Sequence, residues 1–208
     1  MVENGYEPKQ AEMLWVRPLK NGEFQLPWAA KVIEINGSKF KVSDEEGNIC
    51  YIEYSAIIKE LHPSDIKPVN DMINLYDLSE HSILRNIQLR YNENIIYTYI
   101  GGILVAVNPY KNLNIYSEEF ISKYQGKRLF EQDPHIFAIA AQALDNLKRQ
   151  LHNQCIVISG ETGSGKTEST KFLLNFLAAS SSKSSIGNKI IQANPILEGN
   201  LLLLCFLH

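Results

Sequence analysis

The chain has 208 residues, and 20 Lys and Arg against 23 Asp and Glu leave a net charge of −3. Hydrophobic residues at 45% and charged residues at 21% are ordinary for a globular chain, which excludes a disordered segment, a collagen and a disulfide scaffold. With charge so balanced and no basic stripe, nothing draws the chain to nucleic acid or to an anionic membrane.

The cysteines Cys50, Cys155 and Cys205 lie far apart and form no CxxC pair. That pattern fits a reducing, cytoplasmic setting and argues against disulfides or a zinc site. The histidines show no HxxxH or HExxH spacing. The segment 1–11 is polar and reads as a flexible N-terminus with no signal-peptide character. The longest apolar run, Leu201 to Leu207, falls far short of the about 20 residues a membrane helix needs, so no transmembrane segment is expected.

Residues 12–58 read as a small antiparallel β-barrel. Leu14-Trp15-Val16, Lys31 to Ile35, Lys39 to Val42 and Ile49 to Tyr54 are short strands, mostly alternating. Asn36-Gly37 and Glu46-Gly47-Asn48 supply turns between them. His62-Pro63 and Lys67-Pro68 mark a linker over 59–69, because the residue before proline is pushed toward extended conformations. Ser79 to Tyr91 follows as a helix capped by Ser79, with Ile83, Leu84, Ile87 and Tyr91 on its apolar face.

Ile95 to Tyr99 and Ile103 to Val107 read as strands separated by Gly101-Gly102. The second is an unbroken apolar run, as expected of a strand covered on both faces. Asp133-Pro134 opens a long helix, Asp as N-cap and Pro in the first turn. Phe137, Ala140, Ala141, Leu144, Leu147 and Leu151 line one side of it. Cys155 to Ile158 is a further buried-type strand. Strand, helix and strand in this order belong to an α/β fold.

That last strand runs into Gly160-Glu161-Thr162-Gly163-Ser164-Gly165-Lys166-Thr167, which matches GxxxxGK[ST], the phosphate-binding loop. The glycines let backbone N–H groups turn toward an anion, and the following helix, from Glu168 to Ala178, presents its positive end to it. Lys166 supplies a point charge for the outer phosphates, and Thr167 a hydroxyl ligand for Mg²⁺.

Gly160 to Thr170, GETGSGKTEST, resembles the loop of the myosin motor head. So do Asn70 to Arg90, Ile96 to Tyr116, Pro134 to Ala140, Asn153 to Ser159 and Ala193 to Glu198, in the same order. The resemblance spans about residues 12–198 and looks most like the unconventional, cargo-carrying myosins. It implies an α/β P-loop NTPase motor core, partial here over 70–198, with a mixed central sheet and flanking helices, preceded by the small all-β barrel. It implies ATP or ADP with Mg²⁺ as cofactor, filamentous actin as partner and a cytoplasmic, cytoskeletal setting. Asn108, Pro109, Tyr110, Lys111 and Tyr116 match the myosin segment that lines the adenine pocket. Residue by residue they are an Asn-Pro turn with tyrosines. Ser180 to Ser185 matches a variable surface loop.

After Glu198 the family pattern would continue into the switch loops and the actin-binding region. Residues 199–208 instead read as a divergent apolar tail, so the sequence reads as stopping before those parts. Neither Asp44 nor Asp77 stands where a second metal anchor is expected, and no catalytic residue is assigned. Two readings follow: the ATP-binding part of an actin-based motor, or a nucleotide-binding module that does not cleave its ligand. A P-loop kinase or GTPase unrelated to motors is disfavoured by the motifs outside the loop. The resemblance implies further sheet strands supplied by later sequence; their absence would leave edges and apolar faces open, which predicts poor solubility or dependence on chaperones.

Overall fold

In the computed structural model, residues 9, 12–18 and 26–180 are described, together with the backbone of 205–207. The expected flexible N-terminus, most of Ser180 to Ser185, the Ala193 to Glu198 motif and most of the apolar tail lie outside the described residues. The chain divides into two units after Glu93.

The first unit is built on five antiparallel strands: β1 (Met13–Val16), β2 (Trp28–Asn36), β3 (Lys39–Ser43), β4 (Ile49–Glu53) and β5 (Ile57–Glu60). Their order is β4-β3-β2-β1-β5. Alternation sends Leu14, Val16, Ala30, Val32, Phe40, Val42, Ile52 and Ile57 into one core. Trp15, Ala29 and Leu61 form a second cluster. The register shifts between Val32 and Glu34 and again between Trp15 and Val16. Such bulges bend strands and curl a sheet toward a barrel. Asn36 pairs with Lys39, so the β2–β3 turn is Gly37-Ser38 rather than Asn36-Gly37. Gly37 takes the positive φ of 61° that this tight turn requires. The second turn is held by Asp44, whose Oδ1 accepts from the N–H groups of Glu46 and Asn48 at 3.0 and 2.8 Å.

Helix α1 (Glu80–Asn92) follows the expected span, but its buried face is not the expected one. Ser82, Arg85, Asn86 and Arg90 are buried, while Leu84 is 45% exposed. The reason is that distant groups satisfy the polar side chains. Arg85 donates from Nε and Nη2 to Glu45 Oε1 at 2.9 and 2.6 Å. It also donates to the carbonyls of Asp65 and Ile66. Asn86 exchanges two hydrogen bonds with the backbone of Val69, and Arg90 donates to Asn70 Oδ1 at 2.7 Å. Ser79 precedes the helix without capping it through its side chain. Its N–H and Oγ instead donate to Asp77, which also accepts from Ser82 Oγ and Lys59 Nζ. These bonds hold the Asp77 carboxyl well below the usual carboxylate range, against the opposing effect of its burial.

The second unit begins with a hairpin of β6 (Tyr97–Ile100) and β7 (Ile103–Ala106), closed by Gly101-Gly102. The apolar run of β7 is not covered on both faces: Ile103 is 66% exposed, and among the described residues β7 pairs with β6 alone. Helix α2 (Glu118–Tyr124) was not expected from the sequence. Helix α3 (Ile136–Gln150) is capped by His135 rather than Asp133. His135 Nδ1 accepts from the N–H of Phe137 at 3.1 Å, the bond that Asp133 was expected to supply. Strand β8 (Gln154–Ile156) ends earlier than the apolar run, and Val157 is 80% exposed. The backbone of β9 (Cys205–Leu207) pairs antiparallel with β8. Helix α4 (Lys166–Ser180) packs on α3, with the Phe137 and Phe176 rings stacked at 5.0 Å.

Candidate functional site

Between β8 and α4 the chain turns through Gly160 to Gly165. Gly163 and Gly165 have φ of 82° and 93°, conformations that side chains disfavour. A Cβ at Gly160 would stand 2.6 Å from Ser164 Oγ. A methyl at this point would force Ser164 to shift, so the loop is closely packed here. Inside it, the Ser164 N–H donates to the Glu161 carbonyl at 3.2 Å, and the Ser169 N–H to the Gly165 carbonyl at 2.9 Å. By helix geometry the N–H groups of Lys166, Thr167 and Glu168 have no intrahelical acceptor. They and the helix dipole make the start of α4 attractive to an anion. Lys166 Nζ lies across the loop and donates to the carbonyls of Gly160 and Glu161 at 2.9 and 2.8 Å. Glu161, Thr162, Gly163 and Thr167 are exposed, so the cradle opens to solvent.

A cleft of about 700 Å³ lies on one side of this loop. Its walls include Asn108, Pro109, Tyr110, Lys111 and Tyr116 together with Ser164 and Gly165. Residues separated by more than 50 positions are thus neighbours. Asn108 Nδ2 donates to the Gly163 carbonyl at 2.8 Å, and Asn108 Oδ1 accepts from the Tyr110 N–H at 2.9 Å. The Tyr116 ring stacks on Phe172 of α4 at 3.5 Å with the planes 6° apart. The Tyr116 and Tyr97 hydroxyls lie 2.9 Å apart. Burial raises the pKa of both phenols, so both stay neutral hydrogen-bonding groups.

A model of the myosin head, described as the motor domain, matches residues 69–200. The chain belongs to the myosin motor-domain family. A second model, of the myosin VII N-terminal β-barrel domain, matches residues 9–61. The chain is 47% identical over 190 residues to myosin-VIIa of Drosophila melanogaster, covering 91% of this chain and 9% of that protein. It is 43% identical over 190 residues to unconventional myosin heavy chain 6 of Caenorhabditis elegans, with coverages of 91% and 9%. Against human unconventional myosin-XV, identity is 47% over 142 residues, covering 67% of this chain and 4% of that protein. The chain therefore spans less than a tenth of the length of these myosins.

The myosin residues expected around the site fall into place unevenly. Asn108, Pro109, Tyr110, Lys111 and Tyr116 share the cleft with Ser164 and Gly165. Tyr110 points little of its surface inward, being 83% exposed with a left-handed φ of 50°. Thr167, the expected metal ligand, is exposed at the start of α4. Among the described residues no group of three His, Cys, Asp or Glu gathers as a metal site. One hydroxyl suits Mg²⁺, which keeps several waters and takes its other ligands from substrate phosphates. Phe172, Glu168 and Ser169 also line the cleft. The sequence marked Phe172 only as core spacing, and only its place about one and a half turns past the loop could have hinted at more. Among the described residues, no helix is long and apolar enough to cross a membrane.

Proposed function

We propose that this chain is the nucleotide-holding N-terminal portion of an actin-based motor, a partial α/β P-loop core over 70–198 behind a barrel at 12–58. Its setting is the cytoplasm and the cytoskeleton. One observation carries the reading. The Asn108–Gly163 hydrogen bond joins the turn matched to the adenine pocket with the loop matched to phosphate binding, along one cleft. In this reading Gly160 to Gly165 wrap the β-phosphate, and Lys166 leaves the loop carbonyls to meet the outer phosphates. Thr167 would hold Mg²⁺, which supplies positive charge to the phosphate oxygens. Tyr116 and Phe172 give the base an aromatic wall, with Pro109 beside it.

Binding of a fluorescent ADP with Mg²⁺ tests this. Lys166→Ala removes a charge-assisted contact worth roughly 1.5–3 kcal/mol, so affinity should fall about 10- to 100-fold. Unchanged affinity would remove the phosphate-loop assignment. Phosphate release from MgATP, with and without filamentous actin, separates the motor from a non-catalytic binding module. Actin-stimulated release marks the motor, and binding without release marks the module.

A further inference from the structure

Asn108 lines the cleft, yet both ends of its amide are already engaged within the protein. Oδ1 accepts from the Tyr110 N–H at 2.9 Å, closing a local turn around Tyr110. That bond braces a residue in the left-handed region, where a tyrosine is strained. Nδ2 donates to the Gly163 carbonyl at 2.8 Å. A Cβ on Gly165 would lie 3.9 Å from the Asn108 amide, so the side chain passes close by the loop there as well. Gly163 and Gly165 both hold positive φ, and glycine gives the backbone the most freedom to leave such a conformation. The Ser164 and Lys166 bonds brace the Gly160–Glu161 side of the loop, and the Asn108 amide is the side chain that bonds its Gly163 carbonyl.

We propose that Asn108 is a positioning residue. It clamps the phosphate loop at Gly163, beside Gly165, and so couples the base side of the cleft to the phosphate side without reading the base. The ligand half of this inference rests on the nucleotide-binding reading; the clamp itself does not. Two consequences separate a clamp from a base reader. A clamp shapes the loop in the absence of any ligand. It also governs affinity for the phosphate chain alone as much as for the whole nucleotide.

The test compares the full chain with its Asn108→Ala and Asn108→Asp variants. Asn108→Asp keeps the Tyr110 turn but replaces the donor with an acceptor facing the Gly163 carbonyl. The first measurement is backbone hydrogen exchange without ligand. Both variants should exchange faster at Ser164 and Ser169, whose N–H groups donate to the Glu161 and Gly165 carbonyls of the loop, by about fivefold for one lost hydrogen bond, while amides in the middle of α3 stay protected and report an intact fold. Unchanged exchange at Ser164 and Ser169 would overturn the clamp, whatever the chain binds. The second measurement is the affinity of Asn108→Ala for inorganic tripolyphosphate and for ATP, each with Mg²⁺. The clamp requires both to weaken by about the same factor. Loss for ATP with tripolyphosphate unchanged would make Asn108 a base contact and overturn the proposal. If the unsubstituted chain binds neither, the nucleotide reading fails, and the exchange measurement still decides the clamp.

Discussion

His135 is the group whose protonation should cost the second unit most. Its ring is 3% exposed and packed among aromatic rings: Phe137 at 4.6 Å, Tyr124 stacked at 4.9 Å and Tyr97 at 5.0 Å, with Tyr116 and Phe120 beyond. Nδ1 accepts from the Phe137 N–H, so the proton of the neutral ring sits on Nε2. Nε2 is buried and makes no hydrogen bond of normal geometry. Burial pushes the pKa down to about 4; the Ile115 carbonyl opposes this and the Lys123 ammonium adds to it. An imidazolium would have to place a second proton on Nδ1 and so give up the cap of α3. The folded form therefore resists a proton that the unfolded chain takes up near pH 6.5. Stability from this group is complete above about pH 6.5 and is lost as pH falls toward 4. The loss from 6.5 to about 4 amounts to roughly 3 kcal/mol.

The assay is urea unfolding of the chain and of His135→Asn at steps from pH 7.5 to 4.5. Asparagine can still cap α3 but does not titrate. At pH 7.5 the variant is the less stable protein, because it empties part of the aromatic cage. Toward pH 4.5 the gap should close or reverse by roughly 3 kcal/mol, since only the parent carries the histidine penalty. A difference that stays constant with pH would refute the reasoning. So would a ring that titrates near 6.5 by NMR in the folded chain.

The remaining predictions concern α1 and the loop. Arg85→Ala strips partners from Glu45 and from the Asp65 and Ile66 carbonyls, and should cost about 3 kcal/mol in urea unfolding of the first unit. Leu84→Ser, on the face the sequence marked as apolar, should cost under about 0.5 kcal/mol; the opposite ranking would contradict the orientation of the helix. Gly160→Ala puts a methyl 2.6 Å from Ser164 Oγ and should cost about 1–3 kcal/mol while weakening ADP binding. Gly102→Ala, which meets nothing within 4 Å, is its control and should leave ADP binding unchanged.

What could be read in advance was local. Alternation located β2, β3 and β4 of the first sheet, because each has one face in the core, and β1 was legible as a short apolar run. The glycines and lysine of the loop were legible because a motif states its own backbone requirements. What escaped depends on partners far along the chain. Strand β5 was missed because Tyr54 to Glu60, YSAIIKE, lacks a two-residue rhythm; pairing with β1 makes it a strand. The face of α1 was misjudged because periodicity counts apolar residues and cannot see Glu45 or the carbonyls of 65 and 66 waiting for Arg85. The cap of α3 was placed at Asp133 on residue preference, whereas the aromatic surroundings favour a neutral imidazole at 135. Nothing at Asn108 announces a bond to Gly163, 55 residues away.

The two aromatic groupings of the second unit are one structure, and this bears on what the site can do. Tyr116 touches both: its ring stacks on Phe172 at the cleft, and it stands 5.7 Å from His135 and 6.1 Å from Phe137 in the cage. Its hydroxyl meets that of Tyr97, which itself packs edge-on against His135. The Tyr116 wall of the cleft is therefore backed by the capped start of α3. The loop side is held separately, because α4 begins at Lys166 and carries Phe176 onto Phe137 nearly three turns later. Both walls thus converge on Phe137, the residue whose N–H the neutral His135 accepts. Under the proposed nucleotide-binding function, walls braced in this way hold the base and phosphate subsites in register before a ligand arrives, which lowers the ordering cost of binding. The loop is the one wall of the cleft built on glycine, and Asn108 is placed to hold it.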